Sequence, residues 1–361
     1  MVENVIPFGP QHPVLPEPIH LKITLDNERV VGAVPTVGYV HRGLESLVSK
    51  KDFKQMVLVC ERVCGICSAM HGMNYCHGIE QLMNIEVSRK AKLLRVIWTE
   101  LHRIHSHLLW FGLYADAFGF ESLFMQFWKI REKIMDINEA TAGSRVIVSV
   151  NIVGGVRRDI SEENLRWISD TLKDVKKEIK ELSKVILDDY TIKKRTVGIG
   201  FLSKEDAYEL GAAGPMARGS GMYYDNRMLK YAAFDELDFA PVVEYDGDCY
   251  SRAKVRYREI LQSIDLVRQA IDKLPSARDD ELAAKVVGNP DGETIIRVEQ
   301  PRGDCFYYIR ANGTPNLERC RIRTPSFANL PPVMRALQGA RFADVPVIVL
   351  SIDPCISCTE R

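Results

Sequence analysis

Two cysteine pairs offer the most specific chemistry in this chain. Cys64-Gly65-Ile66-Cys67 stands inside Glu61-Arg-Val-Cys-Gly-Ile-Cys-Ser-Ala-Met-His71, and Cys355-Ile356-Ser357-Cys358 stands inside Ser351-Ile-Asp-Pro-Cys-Ile-Ser-Cys-Thr-Glu-Arg361. A CxxC spacing lets two sulfurs share one metal or one disulfide. Two pairs supply four thiolates, a complete set for a tetrahedral or clustered soft metal. About 290 residues separate the pairs, so only the whole fold can bring them together. Structural zinc and an iron–sulfur cluster satisfy the same cysteine count, although zinc ribbons usually bring their halves much closer in sequence. On residues alone the reading stops at a thiolate-bound soft metal.

Other side chains could serve that site. His71 lies four residues past Cys67, on the same face if the segment is helical, and can hydrogen-bond a thiolate or simply pack. His102 and His105 have i, i+3 spacing, with no carboxylate or cysteine nearby in sequence to complete a ligand set. Asp353 immediately precedes Pro354-Cys355 and suits either a turn or an acceptor over the site. Arg302 and Arg218 each sit beside glycine and near proline, and their permanent charge could orient an anion. Glu17 stands between Pro16 and Pro18 on a stiff backbone. Cys60, Cys76, Cys249, Cys305 and Cys320 lack partners at ligand spacing and read as ordinary buried residues.

Helices and short strands must position these groups. The proline-rich first 18 residues predict an extended loop. Residues 19–34 alternate around Asp26-Asn27 and predict a β-hairpin. A helix is expected to end near the first cysteine pair. Leu93, Leu94, Ile97, Leu101, Ile104, Leu108 and Phe111 mark an apolar face on a helix over 86–117. Further helices are expected over 121–141, 161–188, 249–274 and 330–339. The charged side of 161–188 reads as a solvated face. Residues 145–153 fit a strand or a buried helical piece. Two or three short strands are expected over 282–311, and Val345–Ser351 reads as an apolar strand or a tight buried segment. The expected class is α+β, predominantly helical, with small antiparallel parts in one domain over 1–361 and a metal-binding segment at 351–361.

Composition excludes several functions. The 361 residues are 46% hydrophobic and 27% charged, with 48 basic and 48 acidic side chains, so no net field favours nucleic acid. No apolar run reaches the roughly 18 residues of a spanning helix, and no signal peptide is evident. Nine cysteines, an odd number, fit a reducing compartment better than a disulfide framework.

The motifs together resemble the catalytic large subunit of nickel–iron hydrogenases. Arg62-Val-Cys64-Gly-Ile-Cys67 with His71, and Asp353-Pro-Cys355-Ile-Ser-Cys358-Thr, are similar to that family's two signatures. Gly9-Pro-Gln-His-Pro13, His41-Arg-Gly-Leu-Glu45 and Gly214-Pro-Met-Ala-Arg-Gly-Ser-Gly221 resemble its membrane-bound, energy-converting (Ech-type, group 4) branch, from about residue 5 to the last.

That resemblance implies the family's large-subunit helical core and a Ni–Fe centre on all four cysteines, with carbon monoxide and cyanide on the iron. Cys64 and Cys355 would bind nickel terminally, and Cys67 and Cys358 would bridge. The implied reaction is reversible conversion of dihydrogen to protons and electrons, ferredoxin-linked and coupled to ion translocation. Arg302 matches the arginine over the metals, Ser326 the hydroxyl facing a cyanide, Asp353 the acid before the last pair, and His71 the histidine near a bridging thiolate. Glu17 matches the proton-accepting glutamate, and a poorly solvated pocket would raise its pKa toward working pH. Ser106 stands where uptake enzymes carry an aspartate. Those enzymes hold magnesium or iron with a terminal histidine and the glutamate matching Glu45, which makes Glu45 the candidate third-metal ligand; Arg361 stands in the histidine's place. The implied partners are a small subunit with a [4Fe–4S] cluster, a ferredoxin-like polyferredoxin subunit and antiporter-like membrane subunits. The chain would then lie on the cytoplasmic side of the membrane as a peripheral subunit. The quinone-site subunit of respiratory complex I shares the Gly-Pro-x-His-Pro and His-Arg-Gly elements but lacks the cysteine pairs, and a zinc-stabilised scaffold is a third reading.

Overall fold

A computed structural model describes residues 4–361. The chain opens on strand β1 (Asn4–Phe8), which pairs antiparallel with β2 (His20–Asp26), itself paired with β3 (Arg29–Thr36). The expected hairpin is present. The expected extended segment differs: Asn4–Phe8 joins the sheet as an edge strand, where Pro7 needs no ladder donor of its own. Residues 1–3 of that segment lie outside the described residues.

Two short helices, α1 (Leu44–Val48) and α2 (Phe53–Glu61), lead to the first cysteine pair. Asp52 caps α2 by accepting from the Lys54 N–H at 2.7 Å. Helix α3 (Ser68–Leu82) begins directly after Cys67, which occupies its N-cap position. The pair is therefore the turn between two helices.

The centre of the molecule is α4 (Arg89–Ala117), packed against α5 (Glu121–Ala142). Its apolar stripe is buried as expected, but so are Arg95, Glu100, His102, Arg103, His105 and His107 on its other faces. After a two-strand ribbon, β4 (Asn151–Ile152) and β5 (Gly155–Val156), comes α6 (Glu162–Asp188). Helix α6 buries Ile168, Leu172, Val175, Ile179 and Ile186 at helical spacing and leaves its charged face to water. Two short helices, α7 (Tyr190–Lys194) and α8 (Lys204–Glu209), precede α9 (Pro215–Arg218) in the glycine-rich loop. Helix α10 (Cys249–Lys273) then packs on α4 and α6, closing a four-helix core with α5.

The second antiparallel sheet is β6 (Asp291–Gln300), β7 (Gly303–Asn312) and β8 (Arg319–Arg323). Its β6–β7 turn holds Pro301-Arg302, closed by the Gln300↔Gly303 pair. A Cβ at Gly214 would lie 2.3 Å from the Arg302 carbonyl, so glycine lets the 214–221 loop press against this turn.

Helices α11 (Pro325–Ala328), α12 (Leu330–Leu337), α13 (Val345–Ser351) and α14 (Ile356–Glu360) complete the chain. Val345–Ser351 is a helix rather than a strand. Pro346 fits its first turn, and burial of nearly every side chain erases the periodicity that would have signalled it. Trp110 Nε1 of α4 donates to the Leu350 carbonyl at 2.8 Å, fixing α13 and so the approach to the last cysteines. No helix among the described residues is long and apolar enough to cross a membrane.

Candidate metal centre

The fold brings the two cysteine pairs together. Cys64 Sγ lies 3.5 Å from Cys355 Sγ, and Cys67 Sγ lies 3.7 Å from Cys358 Sγ. The sulfurs of Cys64, Cys67 and Cys358 all fall within 4.8 Å of one another. All four residues are buried, and none is in a disulfide. Cys67 occupies the N-cap position of α3 without a side-chain cap bond, and Cys355 caps α14, whose Cys358 N–H points at the Cys355 sulfur from 3.4 Å. Each pair thus places one sulfur at the start of a helix.

The electrostatics call for a cation. Bonds from Cys355, Cys358 and Cys67 draw the Cys64 thiol well below its ordinary pKa. Burial pushes Cys67 well above it, and the neighbouring Cys358 thiol does the same to Cys355. Four crowded sulfurs cannot all ionise beside Arg302 alone; a soft cation would let them do so. The donor set therefore fits a thiolate-bound metal.

Arg302 and Asp353 form a two-point contact above the pair that ends the chain. Arg302 Nη2 donates to Asp353 Oδ1 at 2.8 Å, and its Nε donates to the Asp353 carbonyl at 2.8 Å. Arg302 Nη1 and Asp353 Oδ2 are buried without a partner among the described residues, leaving one donor and one acceptor for a bound group. Asp353 holds φ 57°, a left-handed conformation that Asp tolerates better than most residues.

His71 Nε2 lies 3.5 Å from Cys358 Sγ, while its Nδ1 lies 2.7 Å from the Tyr307 hydroxyl. Burial holds His71 down at about 4, so the ring is neutral. A hydroxyl donating to Nδ1 leaves Nε2–H to face the sulfur. Ser326 Oγ accepts from the Cys355 N–H at 3.0 Å, and its own proton remains to donate elsewhere.

Glu17 is half-buried at the head of α14. Its carboxylate accepts from the Ile356 N–H, the Ser357 N–H at 3.1 Å and the Ser357 hydroxyl. Glu45 accepts from the Ile322 N–H at 2.8 Å and from Arg361 Nε at 3.0 Å, so a guanidinium occupies one of its oxygens.

His102 and His105 do not join the cysteines: they stack edge to face, and His102 Nδ1 contacts the Ile66 carbonyl at 3.3 Å. Arg218 is fully buried, ion-paired with Glu259 and Glu299 rather than poised for an anion. Two further contributors carry little signal in the sequence. Tyr307 is one of a Phe-Tyr-Tyr run, with nothing to distinguish it from its neighbours. Arg42, within His41-Arg-Gly, donates to the carbonyls of Arg62, Val63 and Ser357, bridging both cysteine segments.

Comparison with known proteins identifies the family. The model of the respiratory-chain NADH dehydrogenase 49 kDa subunit family matches residues 117–287 and 279–361, and the nickel-dependent hydrogenase model matches 42–115. The chain is 39% identical over 363 residues to the carbon monoxide-induced hydrogenase of Rhodospirillum rubrum, covering 100% of both. It belongs to the membrane-bound nickel–iron hydrogenase large-subunit family. A second member, the membrane-bound hydrogenase subunit alpha of Pyrococcus furiosus, is 40% identical over 371 residues, covering 99% of this chain and 87% of that one. Among solved structures, a chain of the membrane-bound sulfane sulfur reductase, an archaeal respiratory membrane complex, superposes with a TM-score of 0.94 at 30% identity, covering 99% of this large subunit and 98% of that chain. The helical core and small antiparallel sheets are those of the family.

Proposed function

We propose that this large subunit carries a Ni–Fe centre on Cys64, Cys67, Cys355 and Cys358, and that it interconverts dihydrogen with protons and electrons. The reading is carried by four buried sulfurs from segments 291 positions apart, with Cys64–Cys355 at 3.5 Å and Cys67–Cys358 at 3.7 Å. Cys64, Cys67, Cys355 and Cys358 would hold the two metals through their thiolates, with carbon monoxide and cyanide completing the iron. Once bound, the centre supplies a Lewis acid for dihydrogen and a first acceptor for its electrons.

The protein residues have separate tasks. Glu17, joined to the amides that follow Cys355, takes the proton and passes it toward the surface hollow lined by His12, Pro13 and Leu15. Arg302, aligned by Asp353, sets a fixed positive charge over the sulfurs. Ser326 holds the Cys355 amide, and His71 faces the Cys358 sulfur. Glu45 is the candidate ligand for a third ion such as magnesium, in competition with Arg361.

Electrons leave through a small subunit with a [4Fe–4S] cluster toward a ferredoxin-like polyferredoxin subunit. Antiporter-like membrane subunits couple this flow to ion translocation, with this subunit peripheral on the cytoplasmic side. A relative named as membrane-bound supports attachment to a membrane complex, and no helix among the described residues is long and apolar enough to cross a membrane.

Metal analysis of the isolated complex, with infrared bands of iron-bound cyanide and carbon monoxide, tests the centre. Nickel and iron together with those bands are expected; zinc alone would leave a structural site. The 49 kDa family match favours one other reading, a quinone-site subunit without nickel. Quinone-dependent turnover in a preparation with neither metal would establish that instead.

A further inference from the structure

Away from the sulfurs, one connected set of buried charged side chains has no part in the chemistry above. Arg103 and Arg227 both grip Glu100, each at 3.1 Å. Arg227 also pairs with Asp225 at 2.8 Å. Arg218 meets Asp225 at 3.3 Å, Glu259 at 2.7 Å and Glu299 at 2.7 Å, and His107 Nε2 bonds Glu259 at 2.9 Å. Every one of these side chains is at most 1% exposed.

The set joins three guanidiniums to four carboxyls. Guanidiniums stay charged, and a buried carboxylate without a cation takes up a proton instead. Asp225 and Glu100 each have two arginines, and Glu100 also accepts from the Ser263 hydroxyl at 2.6 Å. Glu259 holds two nitrogens of Arg218 besides His107. Glu299 has one nitrogen, Arg218 Nη1, which Asp225 and the Tyr224 carbonyl also share. It is the least compensated acid of the four.

Its other neighbours do not change that count. Asn226 N–H donates to Glu299 at 3.1 Å, and the Arg103 guanidinium and Tyr231 hydroxyl are bound to its backbone rather than its carboxyl. Asp304, its cross-strand partner, is held by Arg297 and Arg323. Arg256 feels the charges of Asp353 and Glu259, but it stacks on Trp110 at 4.3 Å and forms no ion pair among the described residues. Burial first, then Asp225, pushes Glu299 up to about 7, whereas Arg218 and His107 outweigh burial at Glu259 and hold it far below its ordinary range.

We propose that Glu299 is a proton-storage site, holding the one exchangeable proton that three arginines facing four acids require, three residues along the chain from Arg302. Between them, both ends of the Gln300 amide are buried without partners among the described residues, as is Arg302 Nη1, which makes this turn a polar connection toward the sulfurs. The stored proton follows from the cluster alone; its use in turnover rests on the hydrogen reading.

Infrared titration of the assembled complex, in H2O and in D2O, tests this. Because the buried Glu61 carboxyl is raised to the same range, the titration is read in a Glu61→Gln background: a carbonyl stretch of a protonated carboxylic acid is expected there, shifted in D2O, disappearing with a midpoint at about 7 and missing once Glu299→Gln is added. Absence of such a band in the Glu61→Gln complex, or its survival when Glu299→Gln is added, overturns the proposal. If Glu299→Gln does not assemble, Asp225→Asn serves instead: it removes the like charge that raises Glu299, so the midpoint falls, and an unmoved midpoint is equally fatal. A titrating band in a complex that turns over no dihydrogen sustains the storage site while removing the hydrogen reading.

Discussion

One nitrogen of Arg42, Nη2, donates to the Ser357 carbonyl at 3.0 Å and to the Val63 carbonyl at 2.8 Å. A single guanidinium thereby pins the residue before Cys64 to the residue before Cys358. Arg42 is itself largely exposed, so each bond contributes modestly. Arg42→Met is expected to cost about 1–2 kcal/mol of stability and, more tellingly, to loosen the spacing of the two segments. Urea unfolding with parallel metal analysis would show both; full metal occupancy at unchanged stability would deny the clamp.

Glu17 touches the amides of α14 but none of the sulfurs among the described contacts. Glu17→Gln keeps an acceptor oxygen for those amides and removes the basic site. Dihydrogen turnover is expected to drop by about 10²–10⁴-fold, the usual worth of a positioned base, with nickel retained. Wild-type uptake in that variant would assign the proton route elsewhere.

Much of this site is legible in the amino-acid sequence. The CxxC spacing is local and chemically unambiguous, so Cys64, Cys67, Cys355 and Cys358 stand out wherever the chain folds. Long amphipathic segments such as Glu162–Asp188 declare themselves because one face must meet water. Val345–Ser351 does not, since a helix buried on all sides has no polar face to set its period. The pairings hidden in Arg89–Ala117 are also illegible: Glu100, Arg103 and His107 look like the solvated side of a helix until α9, α10 and β6 arrive with Arg218, Glu259 and Glu299. Partners distant in sequence carry no local signal. Glu45 shows the same limit, since its bond to Arg361 spans 316 positions.

Arg302 and Asp353 are each about 4% exposed at the side chain, so their pair is buried. Removing one member leaves the other charged in a poorly solvated place, a loss of about 3–5 kcal/mol. Arg302→Met should therefore destabilise the fold and slow turnover, whereas the double variant Arg302→Met with Asp353→Leu should regain stability but not activity. A double variant as unstable as the single one would contradict the pairing.

Two kinds of buried group set opposite pH trends. Burial holds His102 and His107 at about 4, so their contribution is full above the unfolded value of about 6.5 and is lost as pH falls toward 4. Burial raises Glu61 to about 7 despite its bond from Ser149. That carboxyl stabilises the fold below its unfolded value and loses the contribution as pH rises through 7. The wild type is thus expected to have a shallow pH dependence between 7 and 4.5. Glu61→Gln removes one part of the opposing contribution, Glu299 supplying another, so its stability should fall more steeply on acidification, by up to roughly 3 kcal/mol relative to wild type. Urea midpoints at both ends of that range measure the difference, and parallel curves would refute it.

Tyr307 gives the sharpest test of how the protein tunes a sulfur. Its hydroxyl, fully buried in β7, lies 2.7 Å from His71 Nδ1, and His71 Nε2 lies 3.5 Å from Cys358 Sγ. Tyr307→Phe keeps the ring and its packing but leaves Nδ1 without its donor, at a cost of about 1–3 kcal/mol. The imidazole can then move its proton to Nδ1, which turns a lone pair instead of an N–H toward the sulfur. In the proposed Ni–Fe centre, a thiolate bound to iron would lose a hydrogen-bond donor and become more electron-rich, so the carbon monoxide and cyanide bands proposed for that iron should move to lower frequency. Bands that stay fixed in a folded, metal-loaded Tyr307→Phe complex would show that the hydroxyl does not set the tautomer of His71.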